Sequence, residues 1–189
     1  MRKEIENEPE ELISSRVRFY RDNGNQFGAG ATTAATLYDS LAEMKKYEMI
    51  ILDCVGSEVQ KTFARRLNLE NYANAGGRVF ASHYAYVWLY GLPSANTFTS
   101  TATFAPNSAN PANQDARIDT SFPKGQTFAE WVQLVNAQAA TSTAATPRIR
   151  IINVRNDLST VRNPPGQQWV FGKKSGGTVD DTPFQYTFN

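Results

Sequence analysis

Nine consecutive residues, Glu48-Met49-Ile50-Ile51-Leu52-Asp53-Cys54-Val55-Gly56, give the strongest indication of the fold of this chain. The centre of the stretch is a short apolar run, which is typical of a parallel strand buried on both faces. In open α/β sheets, ligands lie beyond the carboxyl ends of such strands. We therefore predict a central strand here, with a functional edge directly after it.

The residues on either side continue a strand–helix alternation. Ser57 followed by Gln60 is a capping-box pattern, so a helix is predicted to begin at Ser57. The pair Gly76-Gly77 is typical of a helix end, and residues 79–82 are again strand-like. This alternation predicts an α/β fold, a doubly wound and mostly parallel sheet flanked by helices.

The rest of the chain is assigned to the same single domain, residues 1–189. Residues 91–122 are rich in Ser, Thr, Asn, Ala and Pro and are predicted to form a long loop insertion. A second capping box, Thr127 with Glu130, predicts an amphipathic helix whose apolar face is Phe128, Trp131, Val132 and Val135. A short helix is predicted over residues 4–13, and late strands over residues 148–154, 167–171 and 184–188.

Composition excludes several classes of protein. The chain has 189 residues, a formal net charge of +1, one cysteine and one histidine. The near-neutral charge argues against a nucleic-acid partner, and the single Cys and His argue against a disulfide framework, a zinc ribbon or an iron–sulfur cluster. We therefore predict no metal and no cofactor.

No apolar run reaches the length of a membrane span, and the N-terminus lacks the apolar stretch of a signal peptide.

Three stretches resemble the core of the class I glutamine amidotransferase-like, or flavodoxin-like, fold: residues 48–56, Gly76-Gly77 and residues 78–85. The resemblance implies that His83 occupies the position of the catalytic cysteine and that Val55-Gly56 corresponds to the oxyanion loop. The amidotransferase triad is then absent, because position 83 holds no cysteine and the chain has no second histidine. Cys54 ends a different strand and is expected to have no base.

A wider resemblance, covering most of the chain, is to large bacterial envelope and secreted proteins labelled carboxypeptidase-regulatory-like. It is carried by residues 71–83, 86–89, 118–126, 168–169 and 185–189. The resemblance implies an extracellular or cell-envelope location and no peptidase activity. It also implies that the chain begins after the first βα unit of the fold and stops before its last strand.

The only histidine is the leading candidate for chemistry. His83 stands at a predicted strand-to-helix turn, where a side chain is held exposed as in a nucleophile elbow. A catalytic imidazole needs an acidic partner, and the candidates are Asp53, Glu58 and Asp119. The competing interpretations are a structural histidine and an Asp53 carboxylate that caps the helix at Ser57. Candidate ligand-binding residues are Gly56, Ser57, Tyr84 and Trp88.

These observations favour a non-catalytic binding or structural domain of a bacterial envelope or secreted protein. Its ligand would be a carbohydrate or a protein. One alternative is a hydrolase or metal-dependent enzyme that uses His83 with Asp53 or Glu58. The other is a self-assembling subunit, a homo-oligomer that pairs through an exposed sheet edge.

Overall fold

The computed structural model describes residues 17–22, 31–90 and 97–189. The chain divides into two compact units, Met1–Trp88 and Leu89–Asn189. The helix predicted over residues 4–13 lies outside the described residues.

The first unit contains short strands and helices in alternation. Their order along the chain is β1 (Tyr20–Arg21), β2 (Thr32–Thr33), α1 (Ala34–Tyr38), α2 (Leu41–Met44), β3 (Met49–Leu52), α3 (Phe63–Asn74), β4 (Arg78–Ala81) and a 3-10 helix (His83–Trp88). Strand β1 pairs with β2, and β3 pairs with β4, both in parallel. The segment from β3 through α3 to β4 is therefore a βαβ unit, as the alternation predicts.

The prediction of a doubly wound, mostly parallel sheet, in contrast, is wrong. Strand β3 alternates in burial, since Ile50 and Leu52 are buried whereas Met49 and Ile51 are 47% and 66% exposed. Among the described residues β3 pairs only with β4, and the molecule consists mostly of small antiparallel sheets with few helices. A continuous apolar run does not distinguish a strand covered on both faces from one covered on a single face.

The helix predicted to begin at Ser57 begins later, at Phe63. The Thr62 hydroxyl accepts a hydrogen bond from the backbone N–H of Arg65 and provides the N-cap. Ser57 and Gln60 lie in the preceding loop, so Asp53 does not cap a helix there. The helix ends as predicted, since Ala75 is the C-cap and Gly76 adopts a φ of 94°.

A buried ammonium group stabilises the core of the first unit. Lys61 Nζ forms an ion pair with Asp22 Oδ2 at 2.7 Å and lies 5.4–5.5 Å from the ring centroids of Tyr38 and Trp88. The two rings contact each other edge to face. Burial, with a smaller contribution from the nearby Asp22 carboxylate, raises the pKa of Tyr38 above its usual value. Trp88 is thus a core residue and is 3% exposed.

The second unit is built on antiparallel strands. These are β5 (Ala102–Phe104), β6 (Gln114–Ile118), β7 (Arg148–Ile151), β8 (Leu158–Val161), β9 (Gly166–Gly172) and β10 (Thr182–Phe188). Four of them form a sheet in the order β10-β9-β6-β7, and β5 pairs with β8. Three of the four late strands, β7, β9 and β10, were predicted, whereas β8 was not. The stretch 91–122 contains β5, β6 and a 3-10 turn (Thr97–Ser100), so it is not a loop throughout.

One long helix, α4 (Pro123–Leu134), accompanies these strands. It begins four residues before the predicted cap at Thr127, with Phe122 as N-cap and proline in its first turn. Within the described ranges, no helix has the length and apolar character needed to cross a membrane.

Candidate thiol–imidazole site

Strands β3 and β4 bring the side chains of Cys54 and His83 together. In the β3–β4 register Leu52 lies opposite Ala81, and each is the last residue of its strand. Cys54 follows Leu52 by two residues, and His83 follows Ala81 by two residues. Because parallel strands end at the same edge of a sheet, equal offsets place the two side chains side by side.

The Cys54 thiol and the His83 imidazole are in hydrogen-bond contact. The distance between Cys54 Sγ and His83 Nδ1 is 3.0 Å. Cys54 is half-buried and His83 is exposed, so both groups remain within reach of small molecules from solvent. The expectation that Cys54 has no base is therefore wrong, and the pair has the contact that a thiol nucleophile and its general base require.

The loop after β3 adds backbone groups to the site. The backbone N–H of Gly56 donates to Cys54 Sγ at 3.4 Å, and the N–H of Cys54 donates to Asp53 Oδ1 at 2.7 Å. Gly56 has a φ of 82°, and a Cβ built on it would have no atom within 4 Å. The turn therefore favours glycine for its conformation, and the space beside it is open.

His83 adopts an unusual backbone conformation. Its φ is 51°, in the left-handed region, which residues other than glycine adopt uncommonly, although asparagine, aspartate and histidine do so more often than the rest. The Tyr84 ring packs edge to face against the imidazole, with ring centroids 4.8 Å apart. The strand-to-helix turn at His83 was predicted, and such strain is often found at functional sites.

The acidic residues proposed as partners of His83 have other contacts. The Asp53 carboxylate accepts the N–H of Cys54, and the Glu58 carboxylate accepts a short hydrogen bond from the Tyr86 hydroxyl. Asp119 belongs to the second unit, where its carboxylate accepts the N–H of Ser121 at 3.0 Å. The predicted ligand-binding residue Ser57 is exposed in the same loop as Gly56.

Sequence reasoning found His83 and missed its partner. The signal that could have identified Cys54 is the equal distance of both residues from their strand ends, once the two strands are paired in parallel. That signal depends on the register, which a strand pattern alone does not fix.

Comparison with known proteins adds no identification. Searches against protein-family models, curated proteins and solved structures give no match to this chain. The resemblance to amidotransferase-like domains and to carboxypeptidase-regulatory-like proteins therefore stays a prediction, and a functional assignment depends on the geometry of Cys54 and His83.

Proposed function

We propose that the first unit carries a thiol-dependent site for acyl transfer or hydrolysis, with Cys54 as nucleophile and His83 as general base. The observation that supports this proposal is the 3.0 Å contact between Cys54 Sγ and His83 Nδ1. A thiol is a weak nucleophile until a neighbouring base takes its proton, and imidazole is the commonest such base in proteins. Substrates would be esters, thioesters or activated amides small enough to reach the loop.

The reaction follows from the positions of these groups. His83 Nδ1 accepts the Cys54 proton, and the sulfur attacks the acyl carbon to give a tetrahedral oxyanion. The N–H of Gly56, 3.4 Å from the sulfur, is close enough to the reacting carbon to donate to that oxyanion. The oxyanion collapses, His83 returns the proton to the leaving group, and a thioester forms on Cys54. Water activated by His83 then hydrolyses the thioester and restores the thiol.

This proposal differs from the function favoured by sequence. The non-catalytic interpretation rested on the absence of a Cys–His pair, and the contact between Cys54 and His83 removes that premise. The enzymatic alternative gave His83 a carboxylate partner, Asp53 or Glu58. We replace that partner with Cys54 and keep His83 as the base.

Alkylation of the thiol tests the pair directly. Cys54 is the only cysteine, so mass spectrometry of the iodoacetamide-treated protein reports on this site alone. The His83→Asn variant has no imidazole to accept the thiol proton. We therefore expect iodoacetamide to alkylate Cys54 in this variant about tenfold more slowly at neutral pH. Asparagine is the appropriate replacement because it tolerates the left-handed backbone at position 83.

Asn71→Ala, an exposed change on α3 of the same unit, is the matched control and should react like the unmodified protein. Equal alkylation rates in the unmodified protein and His83→Asn would exclude a functional pair.

A binding or structural role is the second candidate, and the apolar surface of α4 favours it. Trp131, Leu134 and Val135 are 54%, 80% and 46% exposed, whereas Val132 is buried. Trp131 also stacks on Phe128, with an interplanar angle of 18°. Exposed apolar patches of this kind often mark interaction sites. Self-assembly, which was predicted from the sequence as an alternative through an exposed sheet edge, would here use the apolar surface of α4 instead.

Light scattering at high protein concentration tests self-assembly. We expect the unmodified chain to form oligomers and Leu134→Glu to be monomeric, because a carboxylate in an apolar contact must be desolvated. Gln133→Glu adds the same charge at the neighbouring exposed position and should leave the oligomers intact. A strictly monomeric unmodified chain would rule out this role for α4.

A further inference from the structure

One face of the second unit's sheet carries an unusual concentration of arginine. In the antiparallel β6–β7 register Arg117 lies opposite Arg148, and Asp115 lies opposite Arg150. Directly opposed residues share a face of the sheet, as do residues two apart on one strand. Three guanidinium groups and one carboxylate therefore lie on the same face.

Two of the three arginines have carboxylate partners. Arg150 Nη1 donates to Asp115 Oδ1 at 3.0 Å, and Arg148 Nη2 donates to Asp180 Oδ2 at 2.7 Å. Asp115 Oδ2 accepts from the Thr141 hydroxyl at 2.7 Å, so both of its oxygens are engaged. The hydrogen bonds from Thr141 and Arg150 lower the pKa of Asp115, which stays ionised at neutral pH.

Among the residues that the structure describes, Arg117 has no carboxylate partner. Its guanidinium lies over the Phe171 ring at 5.2 Å, and its Nε is fully buried without a hydrogen-bond acceptor. Asp115 forms its ion pair with Arg150, and Asp180 forms its ion pair with Arg148. Within residues 97–189, neither carboxylate forms an ion pair with Arg117.

This arrangement is unfavourable unless another group compensates it. Like charges directly opposite each other on neighbouring strands repel, and a buried donor without an acceptor loses its hydrogen bond to water. The Phe171 ring offsets only part of this cost, because a cation–π contact supplies no acceptor for Nε. Arg117 as a whole is half-buried, so solvent still reaches part of the residue.

The surrounding charge also favours an anion. The three arginines of this face, Arg117, Arg148 and Arg150, are matched by two paired carboxylates, those of Asp115 and Asp180, which leaves an excess of one positive charge.

We propose that this face is an anion-binding site in which Arg117, supported by Arg148, binds an oxoanion group. The ligand group is a carboxylate, a sulfate or a phosphate, since the planar fork of a guanidinium fits two oxygens of such groups. This site lies within the second unit and does not depend on the function of Cys54 and His83.

Calorimetric titration of the full chain with sodium sulfate, phosphate and acetate, at constant ionic strength against chloride, tests the site. We expect saturable binding of at least one of these anions, and their order of affinity identifies the preferred group. Arg117→Gln should weaken binding by at least about tenfold, because it removes the unpaired guanidinium. Arg117→Lys keeps the charge without the fork and should give intermediate affinity.

Arg162→Gln is the matched control. It removes one positive charge from the second unit directly after β8, where the Arg162 carbonyl accepts the N–H of Gly166. Gly166 begins β9 and lies five residues, about 16 Å along the strand, from Phe171. This variant should bind as the unmodified chain does. If no anion binds to the unmodified chain, or if Arg117→Gln binds normally, the proposal is wrong. If Arg117→Gln does not fold, the reduced affinity expected for Arg117→Lys still tests the proposal.

Discussion

Replacement of Cys54 by serine is expected to abolish the initial burst of p-nitrophenolate that the unmodified chain releases from p-nitrophenyl acetate. The burst corresponds to acylation of the thiol, and a serine hydroxyl at this position is a much poorer nucleophile. Its amplitude should equal one product molecule per chain, because the chain has a single cysteine. Stopped-flow absorbance measures the burst, and mass spectrometry shows the acetylated chain.

His83→Asn should reduce the acylation rate by about 10²–10⁴-fold, the usual contribution of a positioned general base. Residues that act as a unit are not additive, so Cys54→Ser combined with His83→Asn should be no slower than Cys54→Ser alone. Asn71→Ala, on the exposed surface of α3, should retain the burst. Hydrolysis that persists in both single variants would show that the activity arises elsewhere in the chain.

Gly125→Ala is expected to destabilise the second unit, although alanine normally favours a helix by up to about 1 kcal/mol over glycine. Gly125 is buried in the first turn of α4. A Cβ at this position would overlap the backbone carbonyl of Asp119 and would lie 2.7 Å from Phe122 Cε1. A backbone carbonyl cannot rotate away as a flexible side chain can, so the helix or the preceding turn must shift.

Such overpacking costs about 2–3 kcal/mol, and for a chain of this length the midpoint of thermal unfolding should fall by roughly 5–10 °C. Two of the three tryptophans, Trp131 and Trp169, belong to this unit, so tryptophan fluorescence is a suitable measurement. Thr127→Ala, an exposed change in the same helix, should alter stability by no more than about 0.5 kcal/mol. An unchanged midpoint for Gly125→Ala would mean that α4 does not approach Asp119 this closely.

The local elements of the first unit were predictable because their signals are local. The apolar run identified β3, and Gly76 identified the end of α3. The start of α3 was not predictable from a capping box, because Thr62 is followed by Arg65 and not by the Glu or Gln that completes that pattern. Similarly, Thr127 with Glu130 matches a capping box inside α4, whereas the actual start is marked by Pro123.

The number of strands and their partners depend on longer-range packing, which a strand pattern does not contain. Ile51 belongs to the apolar run of β3 and yet is 66% exposed. The apolar run therefore did not mean that both faces of the strand are covered. For the same reason the sequence identified His83 as a candidate for chemistry but did not connect it with Cys54. The partnership is created by the register of β3 against β4, and register is a property of the folded pair of strands.

That register also makes the thiol a reporter of tertiary structure. The nine residues of the β3 stretch contain Cys54 but no histidine, and the His83 imidazole comes beside the thiol only when β4 aligns Ala81 with Leu52. A slip of one residue would move His83 by about 3.3 Å along the strand direction and would separate the two groups. Under the proposed function, a copy in which His83 activates Cys54 is one in which the βαβ unit has formed with the correct register, so thiol reactivity would report correct folding of this unit.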